Sequence, residues 1–164
     1  MYDFIASGYD KLHGDEQERK LKKLLTAITL SEYEVVVDVG CATAHLSKFF
    51  SQQEYFGLDP SEKLLAQAPR GARVLCARGE EIPIPDAQAD LVLSLTALHN
   101  YDDPIRGVSE LARICSKTTL IGILRKSDSH DTILRAVEEC FVVENVFLDA
   151  HDTLVVARVR NANV

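Results

Sequence analysis

The stretch Val35-Val36-Val37-Asp38-Val39-Gly40-Cys41-Ala42-Thr43-Ala44-His45-Leu46 constrains the fold of this chain more than any other. Val35 to Val37 are a continuous β-branched run, the composition of a strand covered on both faces. Such strands belong to parallel sheets flanked by helices. Asp38 puts a charge at the strand's end, and Gly40 permits a tight turn after it. Leu46, Phe49 and Phe50 then follow at helical spacing. Strand, glycine turn and helix start in that order predict a cofactor seat built from free backbone N–H groups and a helix N-terminus.

The spacing of small residues selects among cofactors. A dinucleotide loop wants glycine or alanine at Gly40, Ala42 and position 45, where this chain carries His45. A bulky residue there spoils the close helix–strand packing that the third glycine serves. Small residues fall instead at Gly40, Ala42 and Ala44. That acid-x-small-x-small-x-small pattern resembles the S-adenosylmethionine (SAM) loop of class I methyltransferases, with alanine replacing two of the family's three glycines. An alanine forced to φ > 0 is strained by about 1–2 kcal/mol, which would lower cofactor affinity.

With 164 residues, 46% of them hydrophobic, the chain is expected to form one domain with a real core. We expect a single SAM-binding domain over 1–164, with a helical arm or lid over 1–30 and the core over 31–164. No apolar run reaches the length of a membrane span, and no signal peptide precedes Met1-Tyr2-Asp3. Cys41, Cys76, Cys115 and Cys140 are far apart without a CxxC pair, so neither zinc nor a disulfide framework is implied. Cys76, Cys115 and Cys140 sit in apolar patterns and are predicted to be buried free thiols, with Cys41 a spacer in the loop. The expected location is cytoplasmic.

Net charge is −7, which disfavours unaided binding of nucleic acid, because that affinity comes largely from neutralising phosphates. The one basic cluster, Arg19-Lys20-Leu21-Lys22-Lys23, reads as the solvated face of a helix that buries Leu21, Leu24, Leu25 and Ile28. Glu16–Lys20 and Glu18–Lys22 are spaced to pair at i,i+4.

Further along, Glu54-Tyr55-Phe56-Gly57-Leu58-Asp59 reads as a second strand ending in an acid, followed by Pro60 and an N-capping Ser61. Asp59 lies 19 residues after Gly40, one helix plus one strand away, so its carboxylate should stand beside the loop and accept both ribose hydroxyls. Ala72–Ala77 is the expected third strand, leading into Arg78-Gly79-Glu80 and a turn with two prolines. Ala89–Leu95 is the fourth, followed by Thr96-Ala97-Leu98-His99-Asn100-Tyr101. Asp103 and Pro104 open a helix with Ile105, Val108, Leu111, Ala112 and Cys115 inward. Thr118–Leu124 is a fifth strand, Ser129 or Asp131 caps another helix, and two last strands close the chain as an antiparallel hairpin.

The alternation predicts an α/β fold with a mostly parallel, helix-covered sheet. Asp38-Val39-Gly40-Cys41-Ala42-Thr43-Ala44, Gly57-Leu58-Asp59-Pro60 and Asp90-Leu91-Val92-Leu93-Ser94 are most similar to the small "type 11" branch of class I methyltransferases. The resemblance implies a Rossmann-like sheet of seven strands in order 3-2-1-4-5-7-6, mostly parallel with an antiparallel last strand and helices on both faces. It implies SAM as cofactor and S-adenosylhomocysteine as product. Asp38 would sit near the methionine ammonium, Gly40, Ala42 and Ala44 under the methionine portion, and Asp59 and Pro60 at the ribose. Leu95 joins the cofactor residues. Where the family has an acid that reads adenine, this chain has Arg78, so backbone contacts from Arg78 and Gly79, assisted by Glu80, are expected there.

Small SAM methyltransferases open with a similar Phe/Tyr-x-x-Ala-x-x-Tyr-Asp segment that folds over the cofactor, which makes Tyr9 a lid candidate. His99, at the end of the fourth strand, is the candidate to orient or deprotonate an acceptor, with Tyr101 lining the same mouth. The (Asp/Asn/Ser)-Pro-Pro-(Tyr/Phe) signature of amino-group methyltransferases is absent from the chain. The acceptor, small molecule or macromolecule, is not identified. Two alternatives stand beside the enzyme: a SAM-binding subunit that works only with an activating protein partner, and a nucleotide-binding oxidoreductase that His45 argues against.

Overall fold

Strand β1, Val35–Val39, buries four of its five residues, as a strand covered on both faces must. The computed structural model describes residues 9–160, with side chains from His13 onward. Around β1 the chain lays down helix α1 (Tyr9–Leu25), β2 (Glu54–Asp59), the short helix α2 (Glu62–Leu65) and β3 (Arg73–Cys76). It continues through β4 (Ala89–Leu95), helix α3 (Pro104–Ile114), β5 (Cys115–Leu124), helix α4 (His130–Cys140), β6 (Phe141–Leu148) and β7 (Asp152–Val159). The strand order is β3-β2-β1-β4-β5-β7-β6, with β7 antiparallel to both neighbours and the remaining pairs parallel. This is the order the resemblance implied.

Side-chain alternation along the strands splits the core into two layers. Val37, Val39, Val92, Ile121 and Val155 pack with Val108 and Leu111 of α3 and Ile133 and Val137 of α4. Val36, Leu91, Leu93, Leu120 and Val156 pack on the other face with Leu21 and Leu24 of α1 and with Phe50 and Tyr55. The chain runs outward from β1 to β2 and β3, then returns to β4 on the other side of β1. The carboxyl ends of β1 and β4 therefore open a crevice at the switch point.

Two of the predicted caps form, whereas Ser129 at the start of α4 sits in a helical conformation and makes no side-chain cap bond. Leu64 N–H donates to Ser61 Oγ at 3.3 Å, and Arg106 N–H donates to Asp103 Oδ1 at 3.0 Å ahead of Pro104. Both expected ion pairs of α1 form as well, Glu16–Lys20 at 3.0 Å and Glu18–Lys22 at 3.9 Å.

Some expectations fail for physical reasons. The segment after the glycine turn, His45–Phe50, is a six-residue 3-10 helix rather than an α-helix, because Ala44 before it turns left-handed and Ser47 N–H closes on Ala44 C=O at 3.1 Å. Ile105 is 51% exposed: it lies about 200° around α3 from the buried Gly107, and Ile114 completes the inward stripe instead. Cys76 is exposed because β3 is an edge strand with three of its four residues exposed. Cys115 is buried as predicted, and Cys140 is half-buried.

Candidate cofactor site at the strand ends

The floor of the crevice is the turn after β1. Gly40 has φ +82°, and a Cβ there would lie 2.5 Å from Ala97 Cβ, so only glycine lets the turn pass β4's exit. Ala42 (φ +51°) and Ala44 (φ +56°) both adopt the left-handed conformation that costs an L-residue about 1–2 kcal/mol. Cys41 points under the sheet against Gly57, where a Cβ would meet its Sγ at 2.7 Å. Burial pushes this thiol far above its ordinary value, which fits a spacer rather than a nucleophile.

Four of the loop's N–H groups are spent within the chain. Gly40 and Cys41 N–H both donate to Leu58 C=O (2.7 and 2.9 Å), Ala44 N–H to Cys41 C=O (2.8 Å), and Ala42 N–H to Asp59 Oδ2 (2.9 Å). The expected set of free N–H donors at a helix N-terminus is therefore absent from these positions, and the short 3-10 helix offers no aligned dipole to replace it. A pyrophosphate would find few donors on this floor.

Asp59 ends β2 beside that loop. Its second oxygen, Oδ1, accepts Ser61 N–H at 2.9 Å, so two backbone donors fix the carboxylate plane. A cavity of about 140 Å³ opens next to it, lined by Gly40, Ala42, Asp59, Pro60, Leu95 and Tyr101 among others. Tyr101 folds inward: a Cβ on Gly79 would lie 2.1 Å from its hydroxyl oxygen, and one on Gly107 would lie 2.5 Å from its ring. Burial raises its phenol well above the usual range. Beyond the ring lies a second cavity of about 250 Å³, lined by Pro60, Arg78, Gly79, Glu80, Asn100 and Asp102. There Arg78 pairs with Glu80 (3.3 Å) and Asp102 (2.6 Å), while Asp102 N–H donates to Glu80 at 3.0 Å.

Asp38 faces the α1 side of the sheet, fully enclosed. Tyr55 O–H donates to its Oδ2 at 2.7 Å. Burial, less the help of that hydroxyl and with nearby Asp59 adding repulsion, raises its carboxyl to about 7.

The family model of the methyltransferase domain, type 11, matches residues 37–121, more than half of the chain. The chain belongs to this methyltransferase family. A malonyl-[acyl-carrier protein] O-methyltransferase from Marinomonas is 29% identical over 123 residues, covering 69% of this chain and 45% of that protein. The chain thus spans about half the length of the curated relatives it matches. Among solved structures, the methyltransferase bound to the Haloferax volcanii Trm112 activator superposes with TM-score 0.76 at 18% identity, covering 97% of both chains. A SAM-dependent methyltransferase from Aquifex aeolicus superposes with TM-score 0.69 at 18% identity, covering 87% of this chain and 89% of that one. Both share the fold.

Within this methyltransferase domain the remaining candidates occupy distinct places. His99 is half-buried beyond the lining of either cavity, with Nδ1 enclosed and without a partner among the described residues. Burial first, and then Lys20, lower its pKa against an opposing pull from Asp152, which keeps the ring neutral at pH 7. Ala44 is fully buried and shapes the loop from behind. Tyr9 begins α1, but its side chain lies outside the described residues.

Sequence reasoning placed Lys20 on a solvated face; the structure buries it to 1% exposure. Its Nζ donates to Thr96 Oγ1 (2.9 Å) and pairs with Glu16 (3.0 Å) and with the buried Asp152 (3.2 Å). Thr96 O–H in turn donates to Asp152 at 2.6 Å. The network holds Thr96 at φ +57°, an outlier for a β-branched residue, where the chain leaves β4 for the site. Gly122 leaves the room, since a Cβ there would sit 3.2 Å from Asp152 Oδ2. The i,i+4 charge spacing was visible in the sequence, but the partner on the last strand was not.

Proposed function

We propose that the chain binds SAM in the crevice at the ends of β1, β2 and β4 and moves its methyl group to an acceptor, leaving S-adenosylhomocysteine. The observation that carries this reading is the loop floor. The N–H groups of Gly40, Cys41, Ala42 and Ala44 are consumed internally while a fixed carboxylate, Asp59, stands at its rim, which suits a sugar with vicinal hydroxyls better than a phosphate. A carboxylate can accept about four donors, so one already oriented by backbone groups is suited to a ribose. The backbone of Gly40 and Ala42 in the cavity floor would lie under the methionine portion. Asp38 would face its ammonium, and Pro60, Leu95 and the Arg78-Gly79-Glu80 segment would border the adenosine.

When bound, the cofactor supplies a methyl group on a positively charged sulfur, open to in-line displacement. The protein's part is to hold acceptor and methyl in near-attack geometry. A neutral imidazole at His99, just outside the cavity linings, would orient the acceptor or take its proton, and Tyr101 would border the cavity itself. The acceptor is a small molecule or a macromolecule; net charge −7 argues against nucleic acid bound without help. Four free thiols support a reducing, cytoplasmic setting.

Thermal shift tests the reading. SAM or S-adenosylhomocysteine at 100 times the dissociation constant should stabilise by about 2.7 kcal/mol, several degrees for a domain of this size. NAD and NADP should give no shift, and an equal response to NAD would overturn the assignment. A second reading, a SAM-binding subunit active only with a protein partner, draws on the fold neighbour whose structure holds the Trm112 activator. Turnover of candidate acceptors with and without an activator of that kind separates the two.

A further inference from the structure

The geometry points to Gln17, on the inner face of α1, as the acceptor that shares the ammonium group of the cofactor's methionine end with Asp38. This rests on the SAM reading above and adds a residue from an element that the glycine loop does not contain. Gln17 is 9% exposed, and its side-chain oxygen Oε1 is enclosed with no hydrogen-bond partner among the described residues. A buried amide oxygen without a donor is costly to maintain, so a native structure that keeps one invites a ligand.

Gln17 lines a small cavity of about 20 Å³ together with Asp38, Gly40, His45 and Leu95. A space of that size holds one water-sized group, which is the size of an –NH3+. It shares Gly40, Ala42 and Leu95 as walls with the larger cavity beside Asp59, so one ligand can reach both. Asp38, on its far side, has Oδ2 engaged by Tyr55 O–H at 2.7 Å. A carboxylate and an amide with an unpartnered oxygen, both in the lining of one small space, call for a donor-rich cation. The nearby Lys20 is not that cation, since Thr96, Glu16 and Asp152 hold its three protons. The helix that carries Gln17 is fixed by that lysine, by the Lys48–Glu18 pair, and by His45 Nε2 against Gly14 C=O at 3.3 Å, so the amide is presented from a rigid element.

Calorimetry on the full chain with two ligands tests the assignment. S-adenosylhomocysteine carries the amino-acid end, whereas 5′-methylthioadenosine keeps the adenosine and the thioether and lacks that end. Gln17→Leu should weaken S-adenosylhomocysteine by about 10-fold or more, as loss of a hydrogen bond to a charged group does. It should leave 5′-methylthioadenosine within about two-fold, which also certifies the fold. Gln17→Glu keeps an acceptor and adds charge, so it should bind S-adenosylhomocysteine at least as well as the wild type. Unchanged S-adenosylhomocysteine affinity in Gln17→Leu, equal weakening of both ligands, or a Gln17→Glu variant as weak as Gln17→Leu would each overturn the role. Wild-type protein that binds neither ligand would instead remove the SAM reading itself.

Discussion

Asp38 and Asp59 stand at the carboxyl ends of neighbouring strands and line two adjoining cavities, yet the protein treats them in opposite ways. Asp59 is clamped by two backbone N–H groups, from Ala42 and Ser61, which stabilise its charge and set its orientation before any ligand arrives. Asp38 has one hydroxyl partner and is otherwise enclosed, and its carboxyl is raised to about 7. One acid is prepared by bonds already made; the other is left short of them. A rigid carboxylate suits neutral hydroxyls, whose recognition depends on angle. An under-solvated carboxylate suits a cation, whose arrival relieves the deficit. The two ends of a zwitterionic, sugar-bearing ligand would be read by these two different strategies.

The largest expected effect is on Asp38. Its unfolded carboxyl ionises near 3.9, and its folded one holds the proton to about 7. Between those values the native state binds the extra proton, so this group makes unfolding free energy fall as pH rises. The slope reaches about 1.4 kcal/mol per pH unit, or about 4 kcal/mol across the window. Urea unfolding of Asp38→Asn should therefore give a flatter profile than wild type from pH 4 to 7, and a variant that is the more stable of the two at pH 7.5. Glu18, Asp90, Glu110 and Asp149, whose values are lowered, act in the other direction at lower pH and cancel in the difference between variant and wild type. Parallel profiles would end the contrast drawn between the two acids.

Next comes Asp59→Ala, expected to weaken SAM by about 1.5–3 kcal/mol, roughly 10- to 150-fold. The same change strands the Ala42 and Ser61 N–H groups, so stability should drop where Asp38→Asn raises it. Calorimetry and urea unfolding on the same preparation check both halves. Unaltered SAM affinity with an intact fold would falsify the ribose role.

The smallest effect concerns the backbone that Asp59 holds. Ala42 at φ +51° stores strain that glycine would release. Ala42→Gly should stabilise by about 0.5–1 kcal/mol after the entropy that glycine costs is subtracted. A rise of a few degrees in Tm is the expected readout; a fall would mean that the alanine methyl packs better than its conformation suggests.

What could be read from the chain was what is local. β4 spans Ala89–Leu95 as its apolar run predicts, and Ser61 and Asp103 cap the helices they precede, because a cap acts within three residues. Asp59 was placed beside the loop by counting one helix and one strand. The way it is held was not legible, since its donors belong to a turn whose φ values no composition reveals. The 3-10 segment was hidden for the same reason: helical spacing of Leu46, Phe49 and Phe50 does not distinguish three residues per turn from 3.6 over a single turn. Tyr55 looked like an ordinary strand aromatic, and only the β1–β2 register brings its hydroxyl to Asp38. Lys20 is the clearest case of a residue whose meaning lies on another strand.

That lysine stitches the first helix to the last strand, and the stitch has a consequence for the order in which the molecule is made. During synthesis α1 leaves the ribosome long before Asp152 exists, so until β7 has been translated the ammonium has only Glu16 of its own helix as a carboxylate partner. Burying a lysine short of its buried carboxylate is unfavourable, which weakens docking of the helix on the apolar face it will later cover. The turn at Thr96 gains its two restraining bonds at the same late moment. The mouth of the crevice is thus among the last parts to take shape, and a nascent chain that already has most of its sheet still lacks a finished pocket.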